Sequence, residues 1–531
     1  MSQSISMMLI GGLIRLLQGF TAVAPTLLVG IFLASVLRYY LGNAGTRKLF
    51  GGDSLRSLPQ SWLLGMLIPV CSIGVLPMLR EMRRAGVKPG AMSAFALSAP
   101  LFNPLSLLYG LTLSRPIVII LFAIGSLFIV TLLGLLWDLI DKRGATVENR
   151  AEETGATDQL IGMRRIVASL VYFARDMTGS SLGLTMLGLS GLAIVAAVLP
   201  YGAMQNAVER DDWWAPLRML FVATPVYATP MMAMSQLGMM FQHANSPGAS
   251  FTLLILGTGM NLATPVWFAK HYGIKATGAW LTSLLVVVLA ISYAVNRPLI
   301  PQGIEPAGHT HAFDIYANPL SRAHVISVFN LKEMMAKDLD IGETVSLSMM
   351  AVIAVVGLTL RKLKIDEAWL IKTAKPNSLA SSLVSQESGP RKGLDIVVPA
   401  NVIGLTMFVG LIAMSMVACF AYYPSSKECL EEVQMARAEC LSGANSGHTE
   451  HALFWLPVWE DWSRRIEVGT FLRHGEVRPY QRMQGYLIRK KLELLEHELE
   501  HDPFEAAETK KVVIDLLKAD SRWVKSFRDV K

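Results

Sequence analysis

The sequence predicts an all-α polytopic membrane protein with about 8–10 transmembrane helices, two repeats that contain proline-broken helical hairpins, and a soluble helical C-terminal domain. Three observations predict this fold class: long apolar windows, an uneven distribution of charge, and two similar proline-containing segments. Of the 531 residues, 52% are apolar and only 17% are charged, whereas about a quarter of the residues of a soluble domain are charged. The composition excludes a soluble globular enzyme.

Charge divides the chain into a charge-poor body and a charge-rich tail. Residues 1–423 carry 31 Lys and Arg and 22 Asp and Glu, and residues 424–531 carry 17 and 19. Between Arg218 and Lys270, 51 residues contain no Lys, Arg, Asp or Glu, and one crossing of a bilayer needs about 20 apolar residues. The basic surplus of the body fits the loops of a membrane protein. The lipid bilayer is therefore the predicted surrounding, and nucleic acid is not a predicted partner.

Windows of about 20 apolar residues predict ten membrane spans. They cover 21–40, 61–79, 89–113, 116–138, 179–200, 217–241, 247–269, 276–296, 342–360 and 396–423. The segment 164–178 carries Arg175 and Asp176 and is predicted to be an amphipathic helix at the membrane interface. The N-terminus has no basic stretch before its apolar run, so it is expected to be retained rather than cleaved as a signal peptide.

Polar connections organise these spans into two groups of four and a final pair. The predicted domains are 1–140 (first repeat), 141–178 (polar linker and interfacial helix), 179–300 (second repeat), 301–423 (linker plus two additional spans) and 424–531 (soluble helical tail).

The two groups of four share sequence elements. Four residues of the first group recur in the second with one offset of 158: Pro89, Gly90, Ala91 and Asn103 match Pro247, Gly248, Ala249 and Asn261. Upstream, Pro69-Val70-Cys71 matches Pro225-Val226-Tyr227. Internal repeats with proline-interrupted hydrophobic segments are typical of secondary transporters. The basic loop 80–88 against the uncharged loop 242–246 leaves both parallel and inverted repeats open.

The prolines have a physical consequence inside a membrane. Proline lacks a backbone donor and leaves a carbonyl unbonded, which must then face protein or a water-lined cavity rather than lipid. Such positions are expected to break helices where a solute meets bare backbone groups. The alternative is that they are packing kinks, which are common in membrane helices.

Residues 69–104, PVCSIGVLPMLREMRRAGVKPGAMSAFALSAPLFNP, resemble the signature of the ArsP/YraQ-type predicted permease family. The matching positions are Cys71, Ser72, Gly74, Pro77, Gly86, Gly90, Asn103 and Pro104. The resemblance covers about residues 20–296 and implies a multi-pass permease of the bacterial inner membrane. Some members of the family export trivalent organoarsenicals.

This chain departs from the family signature at one place that bears on the solute. Ile73 stands where the family has a second cysteine. Soft trivalent metalloids prefer pairs or triples of thiolates, so Cys71 alone makes an organoarsenical a weaker expectation. The solute is left unidentified, and Cys71 is open to a second interpretation as a small buried apolar side chain.

The predicted substrate-binding residues are Cys71, Ser72, Gly74, Asn103, Pro104, Tyr227, Thr229 and Asn261. Asn103 and Asn261 both donate and accept hydrogen bonds, so they are expected to face one another or a solute at the repeat interface. The alternative role is interhelical hydrogen bonding that fixes the packing. Glu81 and Asp138 fall at span ends, which disfavours a simple carboxylate relay.

These features predict a secondary permease that exports a small solute or ion by alternating access between two broken-helix repeats. No enzymatic activity, cofactor or metal site is predicted. The alternative function is a non-transporting membrane scaffold or sensor whose tail binds a partner.

The tail contains an apolar stripe and a short motif that resembles a metal-binding site. Ile488, Leu492, Leu495 and Leu499 share one helical face, which predicts packing on a partner helix or on another subunit. The segment 497–501 matches His-Glu-x-x-His, the pattern of zinc proteases, but coincidence in a Glu-rich helix is the stronger interpretation.

Two further groups of side chains are also interpreted as non-functional. Cys429 and Cys440 lie eleven residues apart, so on one straight helix they share a face about 16 Å apart and cannot bond each other. His309, His311 and Asp314 are interpreted as a polar loop in preference to a weak metal site.

Overall fold

The computed structural model describes residues 5–52, 54–113, 116–140, 163–300, 304, 310–321, 341–366, 369, 399–500 and 504–528. In these ranges all repeating secondary structure is helical. The helices up to residue 300 are α1 (Ile5–Val36), α2 (Gly42–Leu49), α3 (Ser57–Leu67), α4 (Val75–Arg84), α5 (Pro89–Ser98), α6 (Pro104–Thr112), α7 (Pro116–Ile140), α8 (Met163–Met177), α9 (Ser180–Val198), α10 (Ala215–Ala223), α11 (Pro230–Gln242), α12 (Pro247–Thr252), α13 (Ala263–Tyr272) and α14 (Ile274–Asn296). The later helices are α15 (Ile341–Lys362), α16 (Ala400–Tyr422), α17 (Ser426–Ser446), α18 (Thr449–His474), α19 (Pro479–Glu500) and α20 (Ala506–Arg528). Shorter helical turns lie at Leu37–Leu41, Leu253–Thr258 and Asp314–Tyr316.

Six described helical segments are long and apolar enough to cross a membrane. They are Ile5–Leu49, Pro116–Ile140, Met163–Val198, Ile274–Asn296, Gly342–Lys362 and Ala400–Tyr422. A seventh crossing results if Pro247–Thr258 and Ala263–Tyr272, which meet at 58°, form one bent span. These findings confirm an all-α polytopic membrane protein.

Four of the predicted spans are not continuous helices. Each consists of two shorter helices separated by a non-helical stretch, and these breaks lie at 68–74, 99–103, 224–229 and 259–262. Proline lies in or directly after the first three breaks, and Asn261 lies in the fourth. The prolines interrupt the helical hydrogen-bond ladder, and the half-helices that follow need new partners for their first N–H groups.

The predicted interfacial segment 164–178 corresponds to helix α8 (Met163–Met177), which is separated from α9 by only two residues. One side is buried, with Ala168, Val171, Ala174 and Asp176 facing the protein. The other side exposes apolar side chains such as Leu170, as expected of a helix in contact with lipid.

Helices α5 and α12 begin in the same way. The backbone N–H of Gly90 donates to Asp138 Oδ1 at 2.8 Å, and that of Gly248 donates to Asn296 Oδ1 at 3.0 Å. Both bonds join the first turn of a half-helix to the end of a long helix, α7 in one case and α14 in the other. The two donors are 158 positions apart in the sequence, and so are the two acceptors.

The chain divides into two compact units, Met1–Asn103 with Leu121–Ala413, and Pro104–Ile120 with Met414–Lys531. The first unit holds most of the membrane body. The second holds α6, the start of α7, the end of α16 and the four tail helices. The predicted domain boundaries inside the body remain predictions.

The tail helices α17, α18, α19 and α20 enclose one apolar core. The predicted stripe is buried in this core: Ile488, Leu492, Leu495 and Leu499. Glycines with positive φ, Gly447 and Gly475, end α17 and α18, a backbone conformation that side chains other than glycine rarely adopt. The stripe therefore packs on helices of its own chain, and a partner or a second subunit at the tail remains a prediction.

Candidate solute site at the helix breaks

The first break, residues 68–74, places Cys71 at the start of α4. Pro69 supplies no backbone donor here. The Cys71 thiol accepts a hydrogen bond from the backbone N–H of Gly74 at 3.3 Å, which satisfies one of the free donors at a helix start. Cys71 and Ser72 are both fully buried. The break therefore holds a thiol and a hydroxyl at the positive end of a half-helix.

Helix α1 lies directly against this break. The Thr26 hydroxyl is 2.9 Å from Cys71 Sγ. A Cβ at Gly30 would fall 1.9 Å from the carbonyl oxygen of Gly74, and one at Gly74 would fall 2.6 Å from that of Thr26. Only glycine fits at such backbone contacts, so α1 forms one wall of the first break.

The third break, residues 224–229, is hydrogen-bonded to the segment before the fourth break. The backbone N–H of Ala228 donates to the carbonyl of Gly257 at 2.9 Å. The Thr229 hydroxyl accepts from the backbone N–H of Met232 at 3.2 Å and so caps α11. Thr229 is half-buried, and its structural role as a cap accompanies the predicted role in binding.

Cys71 and Tyr227, which occupy matching places in the two repeated elements, lie together. Both belong to one apolar cluster. The Tyr227 hydroxyl is adjacent to the Cys71 thiol and the Thr26 hydroxyl but makes no well-formed hydrogen bond with either. The structure thus brings the first and third breaks to one place in the first unit.

Asn261 lies in the break before α13 and close to Ile73 of the first break. Its Oδ1 accepts from the backbone N–H groups of Ala263 at 2.8 Å and Thr264 at 3.2 Å. A Cβ at Gly188 of α9 would fall 3.0 Å from Ile73 and 3.1 Å from Asn261 Oδ1. Ile73 therefore supplies an apolar wall beside Asn261, where the family signature has a second thiol.

The break between α5 and α6 contains the remaining predicted residues. Asn103 is half-buried and directly precedes Pro104, the first residue of α6. A Cβ at Gly259 would lie 3.2 Å from the Leu101 side chain, so the breaks after α5 and α12 touch. Pro104 begins the second unit, and its role in binding remains a prediction. A contact between Asn103 and Asn261 remains a prediction.

Four buried polar atoms of described residues at the breaks have no hydrogen-bond partner in the protein. They are Ser72 Oγ, Tyr227 Oη, Asn261 Nδ2 and Thr264 Oγ1. Nearly all buried polar groups in proteins are bonded, and an unbonded one costs about 1–3 kcal/mol. These atoms are therefore available to a small solute or to water.

Sequence reasoning missed the residues of α1 and α9 that enclose the breaks. Thr26, Gly30 and Gly188 lie in long apolar helices, and Thr264 follows the motif residue Asn261 by three positions. Pro25 inside α1 and the glycines of both helices were the available signals. Neither signal indicates which of the breaks α1 or α9 contacts.

The weaker motifs have the following outcome. His311 Nδ1 lies 2.8 Å from Asp314 Oδ2 and 3.0 Å from Gln205 Nε2, within a hydrogen-bonded polar loop. His309 and His501 lie outside the described residues, so the metal and protease motifs that include them are not tested. Cys429 and Cys440 are free, buried and on one helix.

Comparison with known proteins gives the chain a family. A family model described as a predicted permease matches residues 13–297, which is just over half of the chain. The UPF0718 protein YcgR of Bacillus subtilis (strain 168) is 28% identical over 83 residues, or 16% of this chain and 28% of that protein. The matched part thus spans under a third of that relative. No solved structure matches.

The matched region contains the four breaks, the unbonded polar atoms and both proline-containing elements. The family description agrees with the resemblance carried by residues 69–104 and with a membrane permease in general. The chain belongs to the ArsP-type predicted permease family.

Proposed function

We propose that this protein is a secondary permease of the bacterial inner membrane that exports a small solute by alternating access between two repeats. The observation that carries the proposal is the cluster of unbonded polar atoms, Ser72 Oγ, Tyr227 Oη and Asn261 Nδ2, at helix breaks in a membrane protein. Substrate sites of many transporters lie at such discontinuous helices.

Two kinds of pairing support a relation between the repeats. The caps Gly90–Asp138 and Gly248–Asn296 recur at the offset of 158. Matching positions also touch each other, Leu101 at Gly259 and Cys71 at Tyr227. Contacts between matching residues are what a pseudo-symmetric pair of hairpins places near its symmetry axis.

The chemistry of the site favours a small solute with both donor and acceptor groups. The breaks offer a thiol, hydroxyls and an amide, and Ile73 adds an apolar wall. A single thiol at Cys71 holds a trivalent metalloid less well than a pair does. The export direction follows from the resemblance to organoarsenical exporters, and the inner membrane from the bacterial relative.

The proposal is tested with the full chain in everted membrane vesicles. Uptake of methylarsenite, arsenite, antimonite and phosphate is measured with an energised membrane, because export from a cell becomes uptake by an everted vesicle. We expect at least one of these probes, or another solute from a wider growth screen, to accumulate only when the chain is present.

Ser72→Ala and Tyr227→Phe make the test specific to the site. Each removes a hydroxyl that makes no well-formed hydrogen bond in the protein, so both variants should insert and fold normally. We expect each to reduce transport about tenfold or more, as for the loss of one hydrogen bond of about 1.4 kcal/mol or more. Normal transport by the correctly inserted double variant contradicts the site assignment.

The alternative is a membrane scaffold or sensor whose tail binds a partner or a second copy. It predicts no movement of any solute in the vesicle assay and co-purification of a partner that depends on residues 424–531. The absence of a catalytic role is likewise a proposal. Unchanged stability and solute uptake of a His497→Ala variant would support it.

A further inference from the structure

A second polar site lies at the other end of α4 from Cys71. The carboxyl groups of Glu81 and Asp176 are buried here, with residue exposures of 4% and 8%. Burial of an ionised carboxylate is costly unless close partners compensate it. The two carboxylates differ in the number and length of the ion pairs and hydrogen bonds that offset the cost of their burial.

Asp176 is tightly bonded, and Glu81 is not. Asp176 Oδ2 lies 2.7 Å from a guanidinium nitrogen of Arg80 and accepts from the Ser181 hydroxyl at 2.6 Å. Glu81 has three arginines around it at longer distances: Arg38 at 3.4 Å, Arg80 at 3.8 Å and Arg84 at 4.0 Å. Its one short hydrogen bond comes from the Tyr172 hydroxyl at 2.8 Å.

Tyr172 connects Glu81 to an open space. Its hydroxyl donates to Glu81 and accepts from Arg80 at 3.3 Å. Tyr172 and Asp176 line a cavity of about 250 Å³ together with Arg175 and Arg361. Such a cavity is large enough to hold several waters. Tyr172 therefore lines the cavity and is also hydrogen-bonded to the Glu81 carboxylate.

The charges around Glu81 are defined on every neighbouring element. Helix α1 and its continuation supply Arg38, α4 supplies Arg80 and Arg84, and α8 supplies Tyr172 and Asp176. Helices α5 and α9 carry no ionisable side chain. The two cations of α2, Arg47 and Lys48, are exposed to solvent.

The position of Glu81 connects this network with the candidate solute site. Helix α4 is only 10 residues long, or about 15 Å. Its first turn is capped by Cys71, and its last turns carry Arg80 and Glu81. A change in the bonds at one end of this rigid half-helix therefore acts on the other end.

We propose that Glu81 is the proton-binding site that couples solute movement to a proton gradient, with Tyr172 as the path from the cavity. The inference rests on the proposed transport function and names the coupling ion for it. A proton from cavity water passes to Tyr172 Oη while the Tyr172 hydroxyl proton passes to the carboxylate. The water loses one proton, Glu81 gains one, and Tyr172 stays neutral.

Protonation changes the forces on α4. Neutral Glu81 no longer attracts Arg38, which belongs to the continuation of α1, so one electrostatic link between α1 and α4 is lost. The Arg80 pair with Asp176 remains and continues to join α4 to α8. Proton binding thus removes one of the links between α4 and α1, the helix that lies against the first break.

Infrared titration of the purified full chain in detergent tests proton binding without any solute. We expect a protonated carboxyl band that persists to higher pH than the bands of exposed carboxyl groups, because Glu81 is buried, and that is missing in Glu81→Gln. Tyr172→Phe removes a donor to the ionised carboxylate, so the midpoint should move upward by about one unit. Asp211→Asn, at an exposed carboxylate, is the matched control and leaves this band unchanged.

Absence of a titrating carboxyl band that is lost in Glu81→Gln, or an unmoved midpoint in Tyr172→Phe, overturns the proposal. If Glu81→Gln does not fold, the Tyr172→Phe midpoint decides alone. Vesicle assays separate the two proposals: Glu81→Gln should keep downhill movement of the solute but lose accumulation driven by a pH gradient. Solute movement that keeps its pH-gradient drive in Glu81→Gln overturns the coupling only, whereas no movement in any variant contradicts the transport function.

Discussion

Asp138 accepts a hydrogen bond from the backbone N–H of Gly90, and this bond joins the end of α7 to the first turn of α5. Asn296 performs the same task for Gly248. A carboxylate and an amide oxygen are therefore interchangeable as acceptors at this position of the fold. The bond also sits next to close backbone packing, since a Cβ at Gly90 would lie 2.4 Å from the carbonyl oxygen of Gly134.

Asp138→Asn should be tolerated, and Asp138→Ala should not. The amide keeps the acceptor that Gly90 needs, as Asn296 shows, whereas alanine leaves a helix-start N–H unbonded at a cost of about 1 kcal/mol. The measurement is the thermal stability of the full chain in detergent, followed by loss of the monodisperse peak after heating. Equal stability of the two variants would show that the cap contributes nothing.

Gly30→Ala should strongly destabilise the protein. The added methyl group would fall 1.9 Å from the carbonyl oxygen of Gly74, so α1 and the first break must separate, at a cost of about 1–3 kcal/mol or more. Gly278→Ala in α14 is the matched control, because a Cβ there meets nothing within 4 Å. The control should equal the parent or exceed it slightly, and a Gly30→Ala protein as stable as this control contradicts the contact.

Asn261→Ser and Asn261→Leu separate the structural role of this residue from its binding role. Serine can still accept from the N–H groups that start α13 but lacks the unbonded Nδ2 donor. We expect Asn261→Ser to fold and to lose transport, whereas Asn261→Leu loses the cap as well and about 1 kcal/mol of stability. Folding is followed by insertion and heating assays, and normal transport by Asn261→Ser would remove Nδ2 from the site.

Cys429 and Cys440 should react very slowly with alkylating reagents. Burial raises the pKa of each thiol to about 12, so roughly a thousandfold less thiolate is present at neutral pH than for a free cysteine. Alkylation of the native chain followed by mass spectrometry measures the rates, with urea-unfolded protein as the reference. Rapid labelling of either residue, or a disulfide between them, contradicts the packing of α17.

The tail should become more stable as the pH falls toward about 4. Burial raises the pKa of Asp520 to about 6 despite its ion pair with Arg437. A carboxyl whose pKa is higher in the folded state favours folding below its unfolded pKa, and this stabilisation is lost as the pH rises through about 6. The full effect is on the order of 3 kcal/mol.

Hydrogen exchange of α20 in the full chain, corrected for the intrinsic rate at each pH, measures this dependence. Asp520→Asn cannot titrate and should abolish the part of the pH dependence between about 4 and 6. An unchanged pH profile in this variant would assign the effect to other groups.

The sequence allowed prediction of the elements that depend on local chemistry. Pro69 and Pro225 predict interrupted helices, and the structure has breaks at both. The spacing of Ile488 and Leu492 predicts a buried stripe, and both are buried in the tail core. These features follow from missing donors and helical periodicity, which are written in neighbouring residues.

Contacts between distant residues could not be predicted in the same way. Tyr172 and Glu81 are 91 positions apart, and nothing local marks either as a partner of the other. The sequence predicts Glu81 at a span end, and the structure buries it because the continuation of α1 and α8 supply the side chains around it. Burial depends on which helices pack together, and the sequence alone does not reveal these tertiary contacts.

The stretch without charge from Arg218 to Lys270 has a consequence for how the two halves respond to the membrane potential. A voltage exerts force on charges, about 2.3 kcal/mol for one elementary charge moved through 100 mV. The second hairpin, with no Lys, Arg, Asp or Glu over 51 residues, feels almost none. The first hairpin carries Arg80, Glu81 and Arg84 at one end. Of the two hairpins, the first is therefore the one on which the membrane potential acts, although both share their pattern of breaks.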